Sequence, residues 1–206
     1  MKAWSDLNLN VDWTKHQSLN IESADILIKN HLIIKNNVLE LVDSFFNENM
    51  KNKKPLGLHY RATDKFSETK IISYEFIIKN LEYYIDKYPD TELVFVSTDD
   101  RNFIPFLENN FSKRPIYYHQ DSFRSNSKTS IHLSGQDLYK INLDAIVNCL
   151  LLSKCTSLMK TASNLSAWSK LFNPNLQVII LSKPKEKFNF FPEKHVAENV
   201  LYEPIS

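Results

Sequence analysis

With 206 residues the chain is one ordinary domain plus an extension, long enough to bury a genuine core. Its 25 Lys and Arg against 24 Asp and Glu leave no net field to recruit nucleic acid or an anionic membrane, and the Lys51-Asn52-Lys53-Lys54 run reads as a solvated helix end. The two cysteines, Cys149 and Cys155, show neither metal-ligand spacing nor a disulfide framework, so both are read as reduced packing residues.

In chain order, Met1 to Asn20 hold no apolar run long enough for a signal peptide or a transmembrane span, so the product is expected to be cytoplasmic with no integral membrane segment. From Ile21 to Met50 the apolar residues Leu27, Val38, Leu41, Val42, Phe45 and Phe46 recur at helical spacing, which predicts two helices broken near Asn36-Asn37. Residues 1–54 therefore form a helical lead-in, which Pro55 ends. Strand-like runs then alternate with helical ones. The strands are Leu56 to Arg61, Leu93 to Val96, Ile116 to Tyr118, Ser157 to Met159 and Leu176 to Leu181. Helices are predicted near Ile71 to Lys87, Asp100 to Phe111, Leu138 to Lys154 and Ser163 to Phe172. Such alternation over residues 55–206 predicts a Rossmann-like, doubly wound parallel α/β sheet. The tail from Ser182 on, with Phe188, Phe190, Phe191 and Tyr202, is expected to pack back across it.

Chemistry concentrates where the first strand ends. Leu58 to Lys65 puts His59, Arg61, Asp64 and Lys65 at the carboxyl end of a buried apolar run, where open α/β sheets hold their ligands. His59 and Arg61 lie two apart and share one face. Gly57 and Gly135 are the only glycines, so a glycine-rich phosphate loop is excluded, and with it the dehydrogenase and P-loop readings. A diphosphate would instead need a guanidinium and the free amides of a helix start. Arg61 and the Thr161 to Ser166 turn supply those two parts.

Three clusters together carry a family resemblance. His59-x-Arg61-x-Thr63-Asp64-Lys65, Ser97-Thr98-Asp99-Asp100, and Leu150 to Ser153 followed by Lys160-Thr161-Ala162-Ser163-Asn164-Leu165-Ser166 resemble, in order, the motifs of the GDP-fucose-dependent fucosyltransferases. That group comprises the α1,6-fucosyltransferases, nodulation protein Z and the O-fucosyltransferases. The resemblance covers roughly Pro55 to Leu181 and implies the carboxyl-terminal, donor-binding half of a GT-B glycosyltransferase. It implies metal-independent transfer of fucose from GDP-fucose to a glycan or glycolipid hydroxyl, with inversion and without a cofactor.

Residue by residue, the resemblance makes Arg61 the clamp on the β-phosphate and Asp64 and Lys65 the order-giving pair beside sugar and phosphate. Fucosyl transfer with inversion needs a carboxylate to take the acceptor's proton, and Glu68 is the candidate, one residue early against the family's spacing. His59 reads either as a structural histidine or as a donor contact. Of Asp99 and Asp100, one would cap the following helix while the other meets the ligand, in an order left open, and the pair could alternatively hold magnesium. The long polar loop between His119 and Lys140 offers Arg124, Ser125 and His132 as contacts to guanine and ribose. Asn148 stands where relatives tend to carry a base-reading aspartate, with Asp144 one turn earlier as a partial substitute. Ser163, Asn164 and Ser166 read as helix caps or as phosphate-side contacts.

Only the lead-in precedes the first motif, so the acceptor half is expected to be absent or reduced. The alternatives are thus a nucleotide-sugar-binding module that works with a partner chain supplying the acceptor domain, or an unrelated α/β hydrolase with Asp64 or Asp99 as nucleophile. No nucleophile elbow favours the latter.

Overall fold

A computed structural model describes residues 20–61, 69–125, 137–185 and 191–198. Asp64, Lys65, Glu68, His132, Phe188, Phe190 and Tyr202 lie outside the described residues.

Two helices lie ahead of the sheet, within the Ile21 to Met50 stretch where the spacing predicts them. Helix α1 (Ile21–His31) opens on Asn20, whose Oδ1 accepts the Ser23 amide at 2.7 Å, and α2 (Asn36–Asn49) follows. The break between them falls at residues 32–35, just ahead of the predicted Asn36-Asn37 position. Beyond it run β1 (Pro55–Tyr60), α3 (Tyr74–Lys87), β2 (Leu93–Thr98), α4 (Phe103–Asn110) and β3 (Ile116–Tyr117). The second half holds α5 (Leu138–Ser153), β4 (Ser157–Lys160), α6 (Asn164–Phe172), β5 (Gln177–Ile180) and α7 (Glu193–Glu198).

The strands form one five-stranded, all-parallel sheet in the order β3-β2-β1-β4-β5. From β1 the chain winds outward through β2 and β3, then returns past β1 to lay down β4 and β5. That reversal makes the carboxyl ends of the central strands the place for a ligand crevice. Strand alternation sorts the residues onto two faces. Leu56, Leu58, Val94, Val96 and Met159 pack under α3 and α4 against Ile77, Leu81, Phe103 and Leu107. Phe95, Leu158, Val178 and Ile180 face the other helices, meeting Val42, Leu151, Ala167, Leu171 and Val196. With both faces covered, β1 and β2 are buried along their whole lengths.

Gly57 shows how close that second layer comes. A Cβ there would meet Leu152 Cδ2 at 3.0 Å, Cys155 Sγ at 3.2 Å and Leu158 Cδ1 at 3.3 Å. All three neighbours are buried and have nowhere to retreat. Gly57→Ala is therefore expected to destabilise the fold by about 1–3 kcal/mol through overpacking, read as a lower urea midpoint. Cys149 and Cys155 are free and buried, and burial pushes the Cys149 thiol up to about 12. They pack and do not react. No described helix is long and apolar enough to cross a membrane.

Candidate functional site

His59 of β1 and Ser97 of β2 emerge on the α5 side of the sheet. Parallel register sets His59 between Ser97 on β2 and Lys160 on β4, so the three form one row, all buried. Arg61 and Asp99 stand one step beyond the strand ends on the same side. The Arg61 amide donates to Thr161 Oγ1 at 3.0 Å and the Thr161 amide to the His59 carbonyl at 3.0 Å, so the end of β1 is pinned to the segment entering α6. Arg61 Nε lies 3.5 Å from Asp99 Oδ2, with the arginine side chain 20% exposed. This ion pair aims a guanidinium along one wall.

A small cleft of about 70 Å³, open to solvent, occupies this end of the sheet. His59, Arg61, Ser97, Thr98 and Asp99 line it from the strands, and Phe123, Ile141, Asp144, Ala145, Asn148 and Leu165 from the loop, α5 and α6. Its far end is a hydrogen-bonded knot in which the Ser122 hydroxyl donates to Asp144 Oδ1 at 2.6 Å and Asn148 Nδ2 to the same oxygen at 2.8 Å. Burial raises the Asp144 carboxyl above its ordinary range, opposed by the Ser122 hydroxyl and by His119.

Several sequence candidates do not join this cleft. Asp100 is absent from its lining, since its Oδ1 accepts the Asn102 amide at 2.9 Å and its Oδ2 takes the Tyr74 hydroxyl. The question of which aspartate faces the cleft is thereby answered: Asp99 faces it and Asp100 closes the turn before α4. Burial pushes the Tyr60 and Tyr74 hydroxyls up, with Asp100 adding to both. Among the described residues no three His, Cys, Asp or Glu side chains come together as metal ligands. Arg124 is wound into its own loop, donating to the carbonyls of His119 at 2.8 Å, Ser122 at 3.3 Å and Gln120 at 3.4 Å over the Tyr118 ring. Ser125 ties the loop to β2, its amide donating to the Asp99 carbonyl at 2.8 Å.

Around the start of α6, Ser163 occupies the N-cap position without capping through its side chain, and its buried hydroxyl has no partner among the described residues. It sits two residues beyond Thr161. Asn164 is exposed, while the buried Ser166 hydroxyl is spent on the Ser163 carbonyl at 3.2 Å. The candidates Asp64, Lys65 and Glu68 fall between Arg61 and Thr69, whose hydroxyl donates to the Lys183 carbonyl at 2.8 Å.

Sequence reasoning missed one pair altogether. Lys160, fully buried beside His59, donates to Glu193 Oε1 at 2.7 Å from the floor of the sheet to the first turn of α7. Burial pulls Lys160 down from the ordinary lysine value, and Glu193 opposes that pull. A lysine in the last position of an otherwise apolar strand run is the signal that could have raised it.

No protein-family model matches this sequence, and no curated protein is similar to it in sequence. Solved structures are similar in fold. The NodZ α-1,6-fucosyltransferase co-crystallised with GDP superposes at a TM-score of 0.57 with 15% identity, over 80% of this chain and 50% of that one. The chain has the fold of half a GT-B fucosyltransferase. NodZ soaked with GDP-fucose gives 0.52 at 14% identity, covering 79% of this chain and 49% of that one. A mutant of Arabidopsis thaliana FUT1 in complex with GDP gives 0.51 at 14% identity, over 87% of this chain and 41% of that one. The chain thus spans about half the length of these fucosyltransferase-fold proteins, matching their carboxyl-terminal half.

Proposed function

We propose that this fucosyltransferase-fold chain binds GDP-fucose in the cleft and acts in metal-independent transfer of fucose, with inversion, to a glycan or glycolipid hydroxyl in the cytoplasm. The observation that carries it is Arg61, whose backbone is pinned at the mouth of β1 by Thr161 and whose guanidinium pairs with Asp99 on the wall of the cleft. Its planar fork suits a diphosphate. The Ser163 hydroxyl and the amides at the start of α6 would serve the phosphate side. In the transfer the bond from fucose to the β-phosphate oxygen breaks, the acceptor oxygen bonds to the sugar, and the electron pair stays on GDP. Arg61 would offset that negative charge. Glu68 is proposed as the base taking the acceptor's proton, with Asp64 and Lys65 ordering the surrounding loop.

A second reading is a nucleotide-sugar-binding module that binds donor without independent turnover and works with a partner chain carrying the acceptor half; the match covers about half of each fold neighbour. Calorimetry with GDP, GDP-fucose, GDP-mannose and a UDP-sugar, with and without chelator, tests the donor site. The expected result is GDP-fucose binding that survives chelator; preference for the UDP-sugar would move the assignment to another transferase class. Affinity without turnover, rescued by an added partner, selects the second reading.

A further inference from the structure

Lys160 is a fully buried cation that the transfer chemistry does not use. Its ammonium donates to both carboxylate oxygens of Glu193, itself 2% exposed, at 2.7 Å to Oε1. Such a pair is a poor way to hold a fold together, because taking two charges out of water offsets most of their attraction, and two apolar side chains of the same volume serve as well. Its position points to another use. Parallel register pairs Lys160 with His59, which lines the cleft, so the two stand on one face of neighbouring strands about 4.8 Å apart. Lys160 is absent from that lining and lies behind it. The ammonium is thus anchored to the row that carries His59, while the carboxylate belongs to α7, which lends no described residue to the lining.

The cleft has a deficit of positive charge that such an arrangement would offset. Among the described residues lining it, Arg61 is the one permanent cation against the carboxylates of Asp99 and Asp144, and it is already paired with Asp99. A diphosphate adds further negative charge to this lining. The field of a buried ion is weakly screened, since little water lies between it and the ligand.

We infer that Lys160 is an electrostatic positioning residue, its ion pair with Glu193 turned so that the ammonium faces the cleft and favours an anionic diphosphate over a neutral ligand. The inference rests on the nucleoside-diphosphate reading above and deepens it, since it makes ligand charge a property the site selects. Glu193 has its own part. Burial pulls the lysine down from its ordinary value and the carboxylate opposes that pull, which keeps the amine protonated.

Titration of the full chain with GDP and with guanosine tests this, in wild type and in Lys160→Met with Glu193→Leu, a replacement that keeps the volume and removes both charges. GDP is expected to bind the double variant about tenfold more weakly than wild type, and guanosine to bind both alike. A folded double variant with wild-type affinity for GDP would overturn the inference and leave the donor site standing. An equal loss for GDP and guanosine would do the same, because a distorted cleft does not sense charge. If the apolar pair does not fold, Lys160→Gln with Glu193→Gln, in which two neutral amides hydrogen-bond in place of the ions, is read by the same two ratios. A wild type without affinity for GDP would overturn the nucleotide reading, and this inference with it.

Discussion

Arg61→Ala is expected to lower GDP affinity at least about a hundredfold while leaving the melting temperature nearly unchanged. A guanidinium making two charge-assisted hydrogen bonds to a diphosphate contributes about 1.5–3 kcal/mol for each, and alanine removes both. The backbone of Arg61 keeps its bond to Thr161 whatever the side chain, and Asp99, 13% exposed, becomes reachable by solvent when its partner leaves. Arg61→Lys should recover only part of the loss, because an ammonium keeps the charge but not the fork. Calorimetry at fixed ionic strength measures the effect. Equal affinities for wild type and Arg61→Ala would mean that no diphosphate lies at the end of β1.

Breaking the Lys160–Glu193 pair is expected to give the largest loss of stability. Glu193→Leu leaves an ammonium at 0% exposure without its counter-charge, a situation that costs about 3–5 kcal/mol. Lys160→Met should cost a similar amount by stranding the carboxylate. Replacing both, as Lys160→Met with Glu193→Leu, is expected to recover most of the stability, because two apolar side chains of similar volume avoid desolvating either charge. Urea unfolding of the four proteins forms a double-mutant cycle, and a coupling energy below about 1 kcal/mol would show that water reaches the pair. Lys160 neighbours His59 in the register, so the single variants should also disturb the cleft floor. Glu193 in turn holds α7 against β4.

The alternating strands and helices were legible in the residues because periods of two and 3.6 are properties of the local backbone. All five predicted strands occur, and Phe111, Lys87 and Phe172 stand at or beside the ends of the predicted helices. The helix starts were less legible. Helix α3 begins at Tyr74 because Ser73 caps it, and α4 begins at Phe103 because Asp100 makes a turn first. The choice between Asp99 and Asp100 was in principle readable: continuing the alternation of β2 from Phe95 through Ser97 puts Asp99, not Asp100, on the α5 side.

By itself the sequence determined the doubly wound α/β class, the cluster at the end of β1 and the absence of a glycine-rich loop, since each follows from neighbouring residues. Tertiary structure alone decided that Lys160 meets Glu193 across 33 positions and that Arg124 serves its own loop. Those outcomes depend on strand register and on which acceptors a folded loop has already used. Neither is encoded in any local pattern.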